Sequence, residues 1–283
     1  MLLNLEHVQK TYGTFALDVS LKVQEGQVIG LIGANGAGKS TTFKAILGLI
    51  GSKAGVCEML DKPVKELTVS DKEKIGVVLA ESGFSGYITV KDVMTIMSAM
   101  YKDFSKAEFE ERCEKFRIPI NKQIKEFSTG MKAKLKVLVA LSHDAKILIL
   151  DEPTAGLDVV AREEVLDMLR EYMEDGTKGI LISSHISSDL EGLCDELYMI
   201  DNGHIVMHEE TDVLLSDYGV LKVTPEQYEI LDKQYILKVK KEQTCYRCLT
   251  AQKMYYMENY PELIAENGSI DELMMLMLRG EEV

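Results

Sequence analysis

The chain has 283 residues, 46% of them hydrophobic and 28% charged, which suits one large domain or two modest ones and argues against disorder throughout. Its 46 acidic against 32 basic side chains leave a net charge of −14, a surface that repels DNA, RNA and anionic lipid at long range, so no nucleic-acid partner is expected. No apolar run reaches the ~18 residues of a spanning helix, the start MLLNLEHVQK is not patterned as a signal peptide, and five cysteines make no secreted disulfide framework; a protein of a reducing compartment is expected.

In chain order, residues 2–8 and 15–23 are short β-rich runs separated by turn residues, predicting an antiparallel edge. Residues 27–32 form an apolar strand, followed by the glycine-rich GANGAGKS and by helix-forming residues 41–50. Strand, glycine loop and helix make a βα unit of a parallel sheet. Residues 74–79 read as another buried strand. The pattern then turns helical over about 89–145: Val90, Val93, Met94, Met97 and Tyr101 recur at helical spacing, as do Met131, Leu135, Leu138 and Val139. Strands return at 147–150 and 179–183, each followed by a helical stretch. Residues 197–200 and 204–207, joined by Asp201-Asn202-Gly203, predict a hairpin with an Asn-Gly turn. Beyond residue 215 short strands (220–223, 235–240, 246–251) alternate with short helices, and the chain ends in an apolar helix at 270–278. Residues 215–283 are therefore expected to form a small accessory α/β domain, and 1–214 the main domain with a helical subdomain at about 88–145.

The residues Gly33, Ala34, Asn35, Gly36, Ala37, Gly38, Lys39 and Ser40 fit the phosphate-loop pattern G-x-x-x-x-G-K-[ST] without a mismatch. Its glycines let backbone N–H groups converge on phosphate oxygens at the positive end of the helix that follows, which Thr41 continues. Lys39 is expected to place a point charge on the β- and γ-phosphates of a nucleoside triphosphate, and the Ser40 hydroxyl to hold Mg²⁺. Downstream, the apolar run 147–150 delivers Asp151 to a strand end, suited to the Mg²⁺ shell, and Glu152 next to it can polarise a water for in-line attack.

Between these halves, Phe127-Ser128-Thr129-Gly130-Met131 opens a long helix, and here the sequence resembles the ATP-binding cassette (ABC) family. Pro153-Thr154-Ala155-Gly156-Leu157-Asp158 looks like the D-loop of that family, Ser184-His185 like its switch histidine, and Tyr12 sits where the family stacks an aromatic ring on adenine. The motifs follow the family order over roughly residues 1–210. The resemblance implies an α/β fold, a P-loop NTPase (RecA-like) core with an antiparallel β edge and a helical subdomain. It implies an ATPase with Glu152, His185 and Lys39 as catalytic residues. Ser128, Gly130 and Asp158 would contact the nucleotide of an opposite subunit, so that ATP glues two cassettes head to tail, as a homodimer or with a related ATPase subunit. The implied partner is a transmembrane permease on another chain, with the ATPase peripheral on the cytoplasmic face of the membrane. The FSTGM signature and the extended C-terminus resemble ABC-2-type exporters. A soluble ABC-type ATPase acting on a non-membrane partner is the alternative; it predicts two cassettes in one chain or a long coiled-coil insertion, plus basic patches, and none of these is visible.

The chain departs from the family pattern at Ala80, where relatives carry a Gln that touches Mg²⁺ and the attacking water and links to the permease. Glu81 is offset by one residue, which turns it the wrong way in an extended segment. His204 and His208 would share a strand face but stand roughly 13 Å apart at about 3.3 Å per residue, too far to chelate one ion. Met94, Met97 and Met100 are expected in the core of the helical subdomain, and Met274, Met275 and Met277 in that of the C-terminal helix. Cys245 and Cys248 supply only half a zinc site.

Overall fold

Every residue of the strand Val28–Ile32 is buried, the signature of a strand covered on both faces in a parallel sheet. The computed structural model describes all residues from Met1 to Val283, with elements in the order β1 (Leu3–Tyr12), β2 (Phe15–Val23), β3 (Val28–Ile32), α1 (Lys39–Ile46), β4 (Ala54–Met59), β5 (Lys62–Pro63), α2 (Val69–Lys72), β6 (Ile75–Val78), α3 (Val90–Met100), α4 (Lys106–Lys115), α5 (Thr129–Leu141), β7 (Ile147–Asp151), α6 (Val159–Met173), β8 (Gly179–Ser184), α7 (Ser187–Glu191), β9 (Glu196–Asp201) and β10 (His204–Glu210). The C-terminal part adds α8 (Thr211–Ser216), β11 (Gly219–Val223), α9 (Pro225–Ile230), β12 (Ile236–Lys241), β13 (Tyr246–Thr250), α10 (Lys253–Asn259), β14 (Ile264–Glu266) and α11 (Ile270–Arg279).

The first ten strands form one sheet in the order β5-β4-β1-β2-β10-β9-β3-β8-β7-β6. Strand β3 runs parallel to both β8 and β9, and β7 lies parallel between β6 and β8. The C-terminal ends of β3, β7 and β8 therefore meet at one edge, where loops of a parallel sheet collect ligands. The expected antiparallel edge is present in the β1–β2 and β1–β4 pairings, and β9 and β10 form the expected hairpin, with Asn202 at φ 45° and Gly203 at φ 84°. The helix expected over 41–50 stops at Ile46 because Gly48, at φ 66°, turns the chain away.

One hydrophobic cluster holds Phe43 and Ile46 of α1 against the antiparallel edge. A larger one packs α3, α4, α5 and α6 on the other face of the sheet. Met94 and Met97 lie in it as expected; Met100 does not, being 60% exposed because it falls past the buried stripe of α3. The expectation for the last helix also shifts: Ile270, Leu273 and Leu276 carry its buried face, Met274 and Met277 flank it, and Met275 is exposed.

The residues after 215 build their own four-stranded sheet, β12-β13-β11-β14, antiparallel throughout. Successive strand residues face opposite sides, and the two sides have different partners. Leu221, Val223 and Cys248 pack in a small private cluster, whereas Val220 and Leu249, with Leu273 and Leu276 of α11, join the same cluster as Leu190 and Leu197 of the main sheet region. The C-terminal part thus shares a core with what precedes it. Replacing Leu273, 1% exposed, by Ala is expected to cost about 2–5 kcal/mol. Urea unfolding should show one transition shifted as a whole; a shifted minor transition beside an unmoved major one would contradict the shared core.

Candidate functional site

The phosphate loop departs from β3 and ends in α1. Gly36 (φ 84°) and Gly38 (φ 118°) occupy left-handed backbone that side-chain-bearing residues rarely adopt. Their alternation with neighbours curls the N–H groups toward one concavity, a backbone nest at the N-terminus of α1. Gly33 and Ala37 are buried beneath it. Ala34, Asn35, Gly36, Gly38, Lys39, Ser40 and Thr41 line a cavity of about 390 Å³.

Lys39 is 6% exposed. Its ammonium donates to the carbonyls of Gly33 (2.7 Å) and Ala34 (3.4 Å), so the loop itself aims the charge into the concavity. On the opposite wall stands Glu152, with Oε1 3.4 Å from Lys39 Nζ. Glu152 follows β7 directly and adopts φ 53°, a strained backbone for a non-glycine residue, worth about 1–3 kcal/mol. Its amide is held by the carbonyl and hydroxyl oxygens of Ser183 at 3.2 and 3.0 Å. The turn directs the carboxylate toward His185, whose backbone N–H donates to Glu152 Oε2 (3.2 Å) and whose Nδ1 lies 2.5 Å from it. His185 also lines the cavity.

Asp151, 3% exposed, ends β7, where Ser183 Oγ on the adjoining strand donates to its Oδ1 (2.7 Å). The β7–β8 register pairs Asp151 with Ser183, so the serine fixes both acids of the pair. Ser183 is absent from the motifs read in the sequence; only its place at the end of an apolar strand hinted at it. Ser40, exposed at the cavity, and Asp151 supply a hydroxyl and a carboxylate, hard oxygen donors of the type Mg²⁺ prefers, and Mg²⁺ is usually held by one or two protein ligands plus phosphates and water. The donor set therefore fits Mg²⁺.

Ala80 lines this cavity too, and through Ala80, Glu152 and Ala155 the cavity adjoins a groove of about 590 Å³. Glu81 does not replace the missing glutamine, because it points outward, 88% exposed, toward Lys44 (3.5 Å). Leu79 instead closes a turn with Ser82.

Ser128, Gly130, Asp158 and Tyr12 stand apart from the cavity, and Asp151 lines the adjoining groove. Ser128 caps α5, accepting from the Met131 amide (3.2 Å), and Asp158 caps α6, accepting from Ala161 (2.9 Å). Gly130 abuts α6 so closely that a Cβ there would lie 2.9 Å from that of Ala161. These three gather at the N-termini of two adjacent helices. Tyr12 is 47% exposed at the end of β1, with Lys10 Nζ 5.2 Å from its ring centre. His204 and His208 lie on the far antiparallel edge, and His208 pairs with Glu196 (2.7 Å) and stacks on Tyr198. Burial pushes the Cys248 thiol up to about 12, which suits a core side chain.

Residues 16–155 match the protein family described as ABC transporter. The Nod factor export ATP-binding protein I of Cupriavidus pinatubonensis is 33% identical over 241 residues, covering 81% of this chain and 74% of that protein. The lantibiotic transport ATP-binding protein SrtF of Streptococcus pyogenes is 33% identical over 215 residues, covering 75% and 92% respectively. Among solved structures, one described as the ATP-binding subunit of an ABC transporter superposes with a TM-score of 0.68 at 28% identity, covering 76% of this chain and 92% of that one.

Proposed function

The chain belongs to the ATP-binding subunits of ABC transporters, and from that premise we propose how its residues bind ATP, hydrolyse it and pass the result to a membrane partner. The chain is an ATPase subunit that dimerises around ATP to drive a separate transmembrane subunit. The observation that carries the residue assignment is the convergence of Lys39, Glu152 and His185 on one cavity beneath the phosphate loop. We assign residues 1–214 to the ATPase domain, with its helical subdomain at about 88–145, and 215–283 to an accessory unit.

ATP enters with its phosphates against the amides of the glycine loop, and Lys39 neutralises the β- and γ-oxygens. Ser40 and Asp151 would hold Mg²⁺, which would supply charge neutralisation of the phosphates. Glu152 accepts the proton of a water as its oxygen attacks the γ-phosphorus. The bond to the β-γ bridging oxygen breaks, and ADP and phosphate leave. His185, in contact with Glu152, orients that carboxylate and reaches the γ-phosphate side of the cavity. Ser128, Gly130 and Asp158 stand together away from this cavity, which supports their assignment to the nucleotide of the opposite subunit. Tyr12, exposed beyond the loop, is assigned to the adenine.

The named relatives export or transport Nod factor and a lantibiotic, which supports export as the direction. The groove beside Ala80 supports docking of the membrane subunit there. Its floor is apolar (Leu79, Phe84, Ile124), while Lys125, Lys132 and Lys136 edge it and none has an acidic partner within 4 Å in a chain of net charge −14. An acidic amphipathic helix of a permease at the cytoplasmic membrane face is complementary to it. Purified from membranes, the Lys132→Glu, Lys136→Glu variant is expected to lose the multi-span protein that accompanies the wild type, with ATP affinity changed less than about two-fold. Retention of that protein would refute the groove as the docking site, and recovery of ribosomes in its place would refute the transporter partner.

A further inference from the structure

The helix carrying the switch histidine's sequel, α7, has only five residues. Helices of fewer than about 12 residues do not hold their shape in isolation, so its orientation is set by what it touches. One side is apolar: Leu190 is fully buried in the cluster that also contains Ile270 and Leu273 of α11, and the Ile270 amide donates to Glu191 Oε1 (3.3 Å). The other side is a single carboxylate. Asp189 is 1% exposed, and a buried charge of this kind persists only with partners.

Those partners are specific. Thr154 Oγ1, also fully buried, donates to Asp189 Oδ2 at 2.6 Å, and Arg162 Nε lies 3.4 Å from Oδ1. Thr154 is two residues beyond Glu152. Arg162 is on α6, the helix that Asp158 caps. Asp189 itself is four residues beyond His185. One buried carboxylate therefore ties together the turn bearing Glu152, the helix that Asp158 caps and the segment bearing His185.

We propose that Asp189 is a positioning residue: through Thr154 and Arg162 it holds the His185 segment in register with Glu152, so that the 2.5 Å His185–Glu152 contact persists through turnover. The proposal rests on the reading of Glu152 and His185 as members of the catalytic site. The physical reason is leverage. A hydrogen-bonded anchor four residues beyond His185 fixes the rotation of α7 and with it the path of the segment that leads into the helix, and displacement of a catalytic group by about 1 Å costs on the order of a hundred-fold in rate.

The test uses the full chain with isotopically labelled histidine. Its five imidazoles are followed by NMR, and the His185 signal is identified by its loss in His185→Gln. Asp189→Asn keeps the volume and removes the charge; Thr154→Val removes the hydroxyl alone and keeps the shape. Each is expected to shift and broaden the His185 signal while leaving that of His143, buried against Tyr101, in place. Turnover should fall roughly ten- to hundred-fold with KM for ATP within about two-fold, and in a His185→Gln background Asp189→Asn should add no further loss. An unmoved His185 signal in both variants overturns the proposal, as does a fully additive kinetic loss in that background. Wild-type turnover in His185→Gln alone would instead overturn the catalytic reading of His185, leaving its NMR signal to decide whether Asp189 positions it.

Discussion

Glu152→Gln should lower ATP turnover by roughly 10²–10⁴-fold, the usual contribution of a positioned general base. The substitution keeps the shape of the side chain, and the strained φ of 53° at this position is set by the backbone bonds to Ser183 rather than by the carboxylate. What disappears is the oxygen that accepts the proton of the attacking water. Binding of ATP should survive, since Lys39 keeps its bonds to Gly33 and Ala34. The nucleotide would then be held without being cleaved, so the variant should accumulate as an ATP-bound dimer on gel filtration. Turnover within about two-fold of wild type would remove Glu152 as the base.

Lys39→Ala should act earlier in the cycle. A charge-assisted hydrogen bond contributes about 1.5–3 kcal/mol, and each 1.4 kcal/mol is ten-fold in affinity. Loss of the ammonium is therefore expected to weaken ATP binding roughly ten- to hundred-fold, read by calorimetry, and to abolish measurable hydrolysis. There is a second effect within the site. Glu152, 13% exposed, pairs with Lys39 at 3.4 Å. Removing one partner of a largely buried pair leaves the other uncompensated, so the carboxylate would lose its fixed orientation as well. Unchanged ATP affinity would refute the assignment of the phosphate loop. The two variants are thus separable: Glu152→Gln traps the nucleotide, and Lys39→Ala fails to retain it.

Both predictions concern residues that could be read from the chain alone. A phosphate loop is legible because its requirements are local: glycines at φ 84° and 118°, a lysine and a hydroxyl in fixed sequence, a strand before and a helix after. Asp151 and Glu152 are legible for a related reason, since two acids directly after an apolar strand of a parallel sheet stand at its C-terminal end, where ligand sites collect. Three C-terminal strands and the last helix were readable too, within a residue or two of their observed bounds, whereas β14 and the bounds of α8, α9 and α10 were not. The boundary at residue 215 was less legible, because the faces of β11 and β13 divide between two clusters, and alternation in a strand says which residues are buried without saying against what.

What required the folded chain is whatever depends on how segments distant in sequence meet. Ser183 meets Asp151 across 32 residues, and Asp189 meets Thr154 across 35; serine, threonine and aspartate occur at many positions, and nothing local marks these. The same holds for Ala80. Its sequence shows a missing glutamine, but only the tertiary structure reveals that Glu81 turns out to Lys44 and that the nucleotide cavity adjoins a lysine-edged groove there. The sequence by itself determined that this protein binds a nucleoside triphosphate, because backbone conformation and residue chemistry over eight consecutive positions suffice for it. Tertiary structure decided which groups surround the acids and the histidine, because that is a matter of how strands and helices distant in sequence pack, an outcome of the whole core.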